Sequence, residues 1–115
     1  MTAFDIGRRY LDGGDPSTAA RHLTEAAAAE PANRAVLTEL ARAHFHSAAL
    51  GKAEKVARTL VELDPTDTFA LTLLGRTLAR RGRHAQALPH LRLAAAMTGS
   101  TEVAALLADV EARVR

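Results

Sequence analysis

The sequence predicts an all-α protein: three helix hairpins in a row and one closing helix, seven helices with no strand. Three observations carry this. Apolar and small residues recur at a fixed spacing of 34: Ile6, Leu40 and Leu74; Gly7, Ala41 and Gly75; Ala19, Ala53 and Ala87; Ala26, Leu60 and Ala94. Each unit carries two stripes of helical period, such as Leu37, Leu40, Ala41 and His44 followed by Ala53, Val56, Ala57 and Leu60. Ala fills 26 of 115 positions while Phe, Tyr and Trp make up 3%, so the core must come from close approach of small and aliphatic side chains.

The units divide the chain at about 1–33, 34–67 and 68–100, closed by Pro31, Pro65 and Gly99, with a last helix at about 101–114. Asp15 followed by Pro16 reads as an N-cap with proline at the first helical position, and Asn33 and Asp67 can cap the next two first helices. Gly13 and Gly14 read as the turn of the first hairpin. Pro89 is expected close to the first turn of a helix beginning near His84, where a missing amide costs little. In the last helix Val103, Ala104, Leu107, Ala108 and Val110 repeat Val36, Leu37, Leu40, Ala41 and Ala43 with one residue deleted. A stacked array needs its final apolar face covered, so this lone helix is expected to be the cap. No equivalent cap is expected ahead of the first hairpin.

Composition sets outer limits on function. An apolar share of 48% against 24% charged residues argues for one folded unit. The absence of Cys removes disulfides, thiolate ligands and thiol catalysis, and with no apolar run of membrane-spanning length the expected location is the cytoplasm.

The small residue at Gly7, Ala41 and Gly75, the larger one at Tyr10, His44 and Leu78, the Ala19, Ala53, Ala87 column and the closing proline together resemble the tetratricopeptide repeat family. The likeness covers nearly the whole chain. It departs where the family usually carries large aromatics: Ala3, Leu37 and Leu71 stand in one such column, Leu23, Ala57 and Leu91 in the next. The resemblance implies a right-handed superhelix whose concave groove is lined by the first helix of each pair, and protein binding rather than catalysis. The bias to 13 Arg over 2 Lys, with the Ala content, suits a GC-rich genome and so a small bacterial member.

On that register Arg8, Arg42 and Arg76 form one groove column and Asp12, His46 and Arg80 the next, with Leu73 and Leu106 on one flank and Phe4, Phe45 and Phe69 at or near the edge. Residues 68–101 hold Arg76, Arg80, Arg81, Arg83 and Arg92 and no acid, a local charge of +5 within an overall +2. The expected site is thus Arg42, Phe45, His46, Phe69, Leu73, Arg76 and Arg80, and its expected partner an acidic or amphipathic protein segment. Arg8 is expected to be held in pairs with Asp5 and Asp12, Arg42 to pair with Glu39, and Asp109 or Glu39 to compete for Arg76. The family's clamp for chaperone C-terminal carboxylates uses Lys, Asn, Asn, Lys and Arg; the matching positions here are Phe4, Arg8, Glu39, Phe69 and Leu73, so that mode is not expected.

Other chemistry finds little support. His44 and His46 diverge around a helix and His84 and His90 lie six apart, so neither pair is a helical chelate; no metal and no cofactor are expected. His44 falls in the core column and is expected to be buried and hydrogen-bonded. Ser17, Ser47 and Ser100 fall at caps and turns with no base placed beside them, so no catalytic residue is expected. Nucleic-acid binding through the basic third unit is the alternative function, weakened by the absence of interleaved aromatics. Self-association through the first hairpin and the Leu106, Val114 side of the last helix is compatible with protein binding.

Overall fold

The computed structural model describes Met1–Val114. These residues form seven helices and no strand: α1 (Ala3–Asp12), α2 (Pro16–Ala29), α3 (Arg34–His46), α4 (Leu50–Leu63), α5 (Thr68–Arg80), α6 (His84–Thr98) and α7 (Thr101–Arg113). Successive helices pack against each other, and the first helices α1, α3, α5 and α7 also touch in series. The result is an elongated stack of 47 × 24 × 22 Å.

Local chemistry sets the helix starts. The carboxylate of Asp15 accepts from Thr18 N with Pro16 following, Asn33 accepts from Val36 N, and Asp67 accepts from Ala70 N, so each fills one otherwise unpaired amide. Thr2 and Asp5 cap α1 reciprocally. The hairpin turns place Gly14, Ala48 and Gly82, again 34 apart, at φ 84°, 61° and 77°. Only the middle one bears a Cβ in this left-handed region. With α6 starting at His84 as expected, Pro89 stands at its sixth position, just past the first turn. Its missing amide leaves the Ala85 carbonyl without a helical donor, and the helix continues because both residues face solvent.

Crossings within each hairpin are close because volume is traded across them. A Cβ on Gly7 would lie 2.6 Å from Leu23 Cγ, and one on Gly75 would lie 2.5 Å from Leu91 Cγ. In the middle hairpin the same pair of columns carries Ala41 and Ala57, both fully buried. Burial is greatest in α5, where seven residues are enclosed, and least in α1, where Gly7 alone is.

The last helix covers the array with Val103, which packs with Leu71 and Ala94, and Val110, which packs with Leu74, Leu78 and Leu88. Ala104 and Ala108, expected on the apolar face, are exposed instead. They correspond to Leu37 and Ala41, which face α4; α7 has no second helix to meet. Leu106 and Val114 lie half-buried against the α5–α6 core. Tyr10 also departs from its column: it is exposed and stacks on His22 at 5.5 Å between ring centroids. His44 is buried as expected, at 8% exposure, but among the described residues its ring has no protein hydrogen-bond partner. Its burial, with the nearby Lys52 charge, lowers its pKa below 6.5.

Candidate protein-binding groove

The groove is built by α3 and α5 lying side by side. Arg42, Phe45 and His46 recur at helical spacing on α3, and Phe69, Leu73, Arg76 and Arg80 do so on α5, so each helix turns one face to the same space. A concave depression of about 280 Å³ is lined by Arg42, Phe45, His46, Phe69, Leu73 and Arg76, joined by Thr72 and Glu102. Six of the seven residues singled out in the sequence thus line one depression. Arg80 stands beside it: its guanidinium lies 4.8 Å from the Phe45 ring centroid and donates to the Phe45 carbonyl at 3.4 Å. Past Arg42 and His46 the surface continues into a second depression bounded by Leu11, Gly14 and Pro16.

The side chains differ in how free they are. Phe69 is 43% exposed, a large apolar surface left open to solvent. Leu73, expected to offer apolar surface, is only 7% exposed and belongs to the core with Leu37, Ala41, Leu60 and Ala70. It forms the floor of the depression rather than a contact point. Arg42 is tied to Glu39 at 2.8 Å, as expected for a pair three residues apart. Arg80 is held by Phe45, a contact of about 0.5–1 kcal/mol at an exposed site. Arg76 is exposed and has no carboxylate within 4 Å among the described residues. The two acids expected to compete for it are engaged elsewhere, Glu39 with Arg42 and Asp109 with Arg113 at 3.4 Å, and Glu102, which lines the same depression, makes no ion pair with it within 4 Å.

The acid-free third unit is less positive in space than along the chain. Arg81 and Arg83 reach back to Glu54 of α4 at 2.8 and 3.4 Å, and Arg92 meets Glu111 of α7 at 3.8 Å. Burial would raise the Glu54 carboxyl, but the hydrogen bond from Arg58 and the charges of Arg58, Arg81 and Arg83 hold it below 4.5. Of five arginines only Arg76 and Arg80 remain for the groove. Arg8 differs from expectation as well: it makes no ion pair within 4 Å with Asp5 or Asp12 and lies 5.6 Å from the Phe4 ring centroid. Phe4 lines a separate cavity between α1, α2 and α3, away from Arg76. Leu106 packs inward, and Glu102 takes the place at the rim. The signal for Glu102 was present, since it stands 33 residues after Phe69 across the single-residue deletion. No three of His, Cys, Asp and Glu come together as a metal site among the described residues. No helix among them is long and apolar enough to cross a membrane.

Stacked helix hairpins with a small residue at each crossing and a groove formed by their first helices define a helical-repeat protein. The Tetratricopeptide repeat profile matches residues 4–68, and the chain belongs to that family. Among solved structures, it resembles the first TPR of Spaghetti (RPAP3) bound to the HSP90 peptide SRMEEVD, with a TM-score of 0.88 at 20% identity over 95% of this chain and 87% of that one. The second TPR domain of human RPAP3, in complex with the HSP70 peptide SGPTIEEVD, gives 0.88 at 20% identity, over 96% and 92% of the two chains. The Sgt2 TPR domain from Aspergillus fumigatus gives 0.87 at 21% identity, over 97% and 76%. At these identities the likeness is one of fold. No curated protein sequence matches the chain.

Proposed function

We propose that this chain is a non-catalytic protein-interaction module that takes an acidic or amphipathic segment of a partner in the α3–α5 groove. The observation that carries the reading is Arg76, an exposed guanidinium without a carboxylate partner, beside the exposed ring of Phe69. A planar fork next to an aromatic surface suits a carboxylate flanked by an apolar side chain. Structures of the same fold hold acidic peptides ending Glu-Glu-Val-Asp, which supports peptide binding in general. It does not extend to that ligand here, because Phe4, Arg8, Glu39, Phe69 and Leu73 replace the clamp residues. Binding of this kind needs no cofactor, and a cysteine-free chain fits a reducing cytoplasm.

The test begins with affinity capture from the native host and mass spectrometry, followed by binding of the captured partner to variants. Arg76→Glu with Arg80→Glu should weaken it at least tenfold, roughly 1.4 kcal/mol, and the effect should shrink as salt rises. Phe69→Ala should weaken it at every salt concentration through lost apolar contact. Unchanged affinity in the double reversal at low salt, with the fold intact by circular dichroism, would remove the basic groove as the site. Nucleic-acid binding is the second reading, and the pairing of Arg81, Arg83 and Arg92 leaves it few free cations. Sub-micromolar, sequence-dependent binding of an oligonucleotide at near-physiological salt would reverse that order.

A further inference from the structure

One departure from repeat symmetry is a cavity at the boundary between the first two hairpins, on the side of the helix starts. It has a volume of about 380 Å³ and is walled by Ala3, Phe4, Ala29 and Ala35 over buried Ala26 and Val36. Its origin is legible by comparing equivalent positions. Where this boundary has Ala3, Ala29 and Ala35, the next, 34 residues on, has Leu37, Leu63 and Phe69. Three large apolar side chains are therefore replaced by methyl groups, while Phe4 stands where the next boundary has Thr38. The cavity is open to solvent at Ala29 and Ala35, and its volume exceeds that of the roughly 150 Å³ enclosed cavity known to bind benzene.

The polar groups around it fall into two sets. Thr2 Oγ1 donates to Asp5 at 2.8 Å and accepts from Asp5 N at 3.1 Å, while Asn33 Oδ1 accepts from Val36 N at 3.3 Å. Both are occupied in capping. Glu25 and Glu30 also line the cavity, and among the described residues neither has a cation within 4 Å. An apolar hole with two free carboxylates is complementary to an apolar side chain carrying positive charge beside it.

We propose that this cavity is a second docking site, which receives one leucine or phenylalanine side chain from a partner segment whose adjacent residues are Arg or Lys. The partner side chain lies over Ala26 and Val36, where the next boundary carries the half-exposed side chains of Leu63 and Phe69, and its neighbours meet Glu25 and Glu30. The charge preference is opposite to that of the α3–α5 groove, so the two sites select different segments.

The probe is the blocked pentapeptide Gly-Arg-Phe-Arg-Gly, titrated into the full ¹⁵N-labelled chain. Saturable amide shifts confined to residues 1–6 and 25–36 are expected. Replacing the peptide's Phe by Ala, or both Arg by Glu, should weaken binding at least tenfold. Ala29→Leu with Ala35→Phe installs the residues of the next boundary; it should keep or raise the thermal midpoint and lose at least tenfold in affinity. Equal binding to that variant, equal binding of the acidic peptide, or no saturable shift at millimolar peptide would each overturn the proposal. So would phenethylamine binding as tightly as the peptide, which would make the cavity a small-amine site. A dimer in sedimentation that Ala29→Leu/Ala35→Phe dissociates would overturn it too, since the occupant would then be a second copy.

Discussion

His44 is a buried base in a column that elsewhere carries Leu78, and its burial makes the neutral ring the form that folds. With its folded pKa below the unfolded value of 6.5, the unfolded chain binds the proton more readily. Stability is therefore fully present above pH 6.5 and is lost as pH falls through that value toward the lower folded pKa. His90, depressed by burial and by the Arg58 charge, acts in the same direction. Asp5, Asp15 and Asp64, each lowered by hydrogen bonds from a neighbouring threonine, add their losses only once the pH drops below 3.8. Melting curves should then be flat above about pH 7 and begin to decline as the pH falls through 6.5, before the loss from Glu54 and the aspartates sets in at lower pH. His44→Leu should flatten most of the decline, and an undiminished decline in that variant would assign it to His90. A second residue-scale test lies at Ala48, whose φ of 61° matches Gly14 and Gly82 in the other hairpins. Ala48→Gly relieves a conformation costing about 1–2 kcal/mol but frees the unfolded chain by about 0.4–1. A net gain of about 0.5–1 kcal/mol in urea denaturation is expected.

Between helices, the pairs Gly7–Leu23, Ala41–Ala57 and Gly75–Leu91 show one crossing solved in two ways. Either a glycine admits a leucine or two alanines meet. Gly75→Ala would gain about 1 kcal/mol in helix propensity but drive a methyl group into the buried Leu91, an overpacking cost of about 1–3 kcal/mol. Leu91→Ala alone should cost about 2–5 kcal/mol through the cavity it leaves. Together they recreate the Ala41–Ala57 arrangement, so the double variant should be more stable than the two losses predict by at least about 1 kcal/mol. Additive losses in a denaturation cycle would show that the columns do not compensate each other. These columns were readable in the sequence because contacts between successive units repeat with the chain. So were the caps at Asp15, Asn33 and Asp67, whose chemistry is local. What was not readable depends on where long side chains end. Glu54 gathers Arg58, Arg81 and Arg83 from 4, 27 and 29 residues away, and no spacing rule separates those arginines from the unpaired Arg76. Leu73 kept its place on the groove face, but its depth beneath Phe69 is a property of the packed pair of helices.

At the scale of the molecule, each unit meets only its neighbours, so protection should be graded along the stack rather than uniform. Helix α5 lies between α4, α6 and α7 and encloses seven residues, whereas α1 encloses Gly7 alone and meets only α2 and part of α3. Amide hydrogen exchange should therefore be slowest in α5, with α6 close behind, and fastest in α1. The gradient is maintained at the far end by α7, whose Val103 and Val110 are the two residues it buries. Each contributes about 1.5–3 kcal/mol on burial, so ending the chain after Gly99 should cost about 3–6 kcal/mol, a large part of the 5–15 kcal/mol typical of a domain. The exposed ends of the truncated chain would be more alike. Leu71, Leu74, Leu78 and Leu88 lose their cover, and protection in α5 and α6 should fall toward that of α1 while α3 and α4 become the slowest to exchange. Exchange followed by mass spectrometry on the full and shortened chains would read this shift directly. If α5 stayed slowest in the shortened chain, with its denaturation midpoint unchanged, the α3–α5 groove would be held by the hairpins alone and α7 would be dispensable to it.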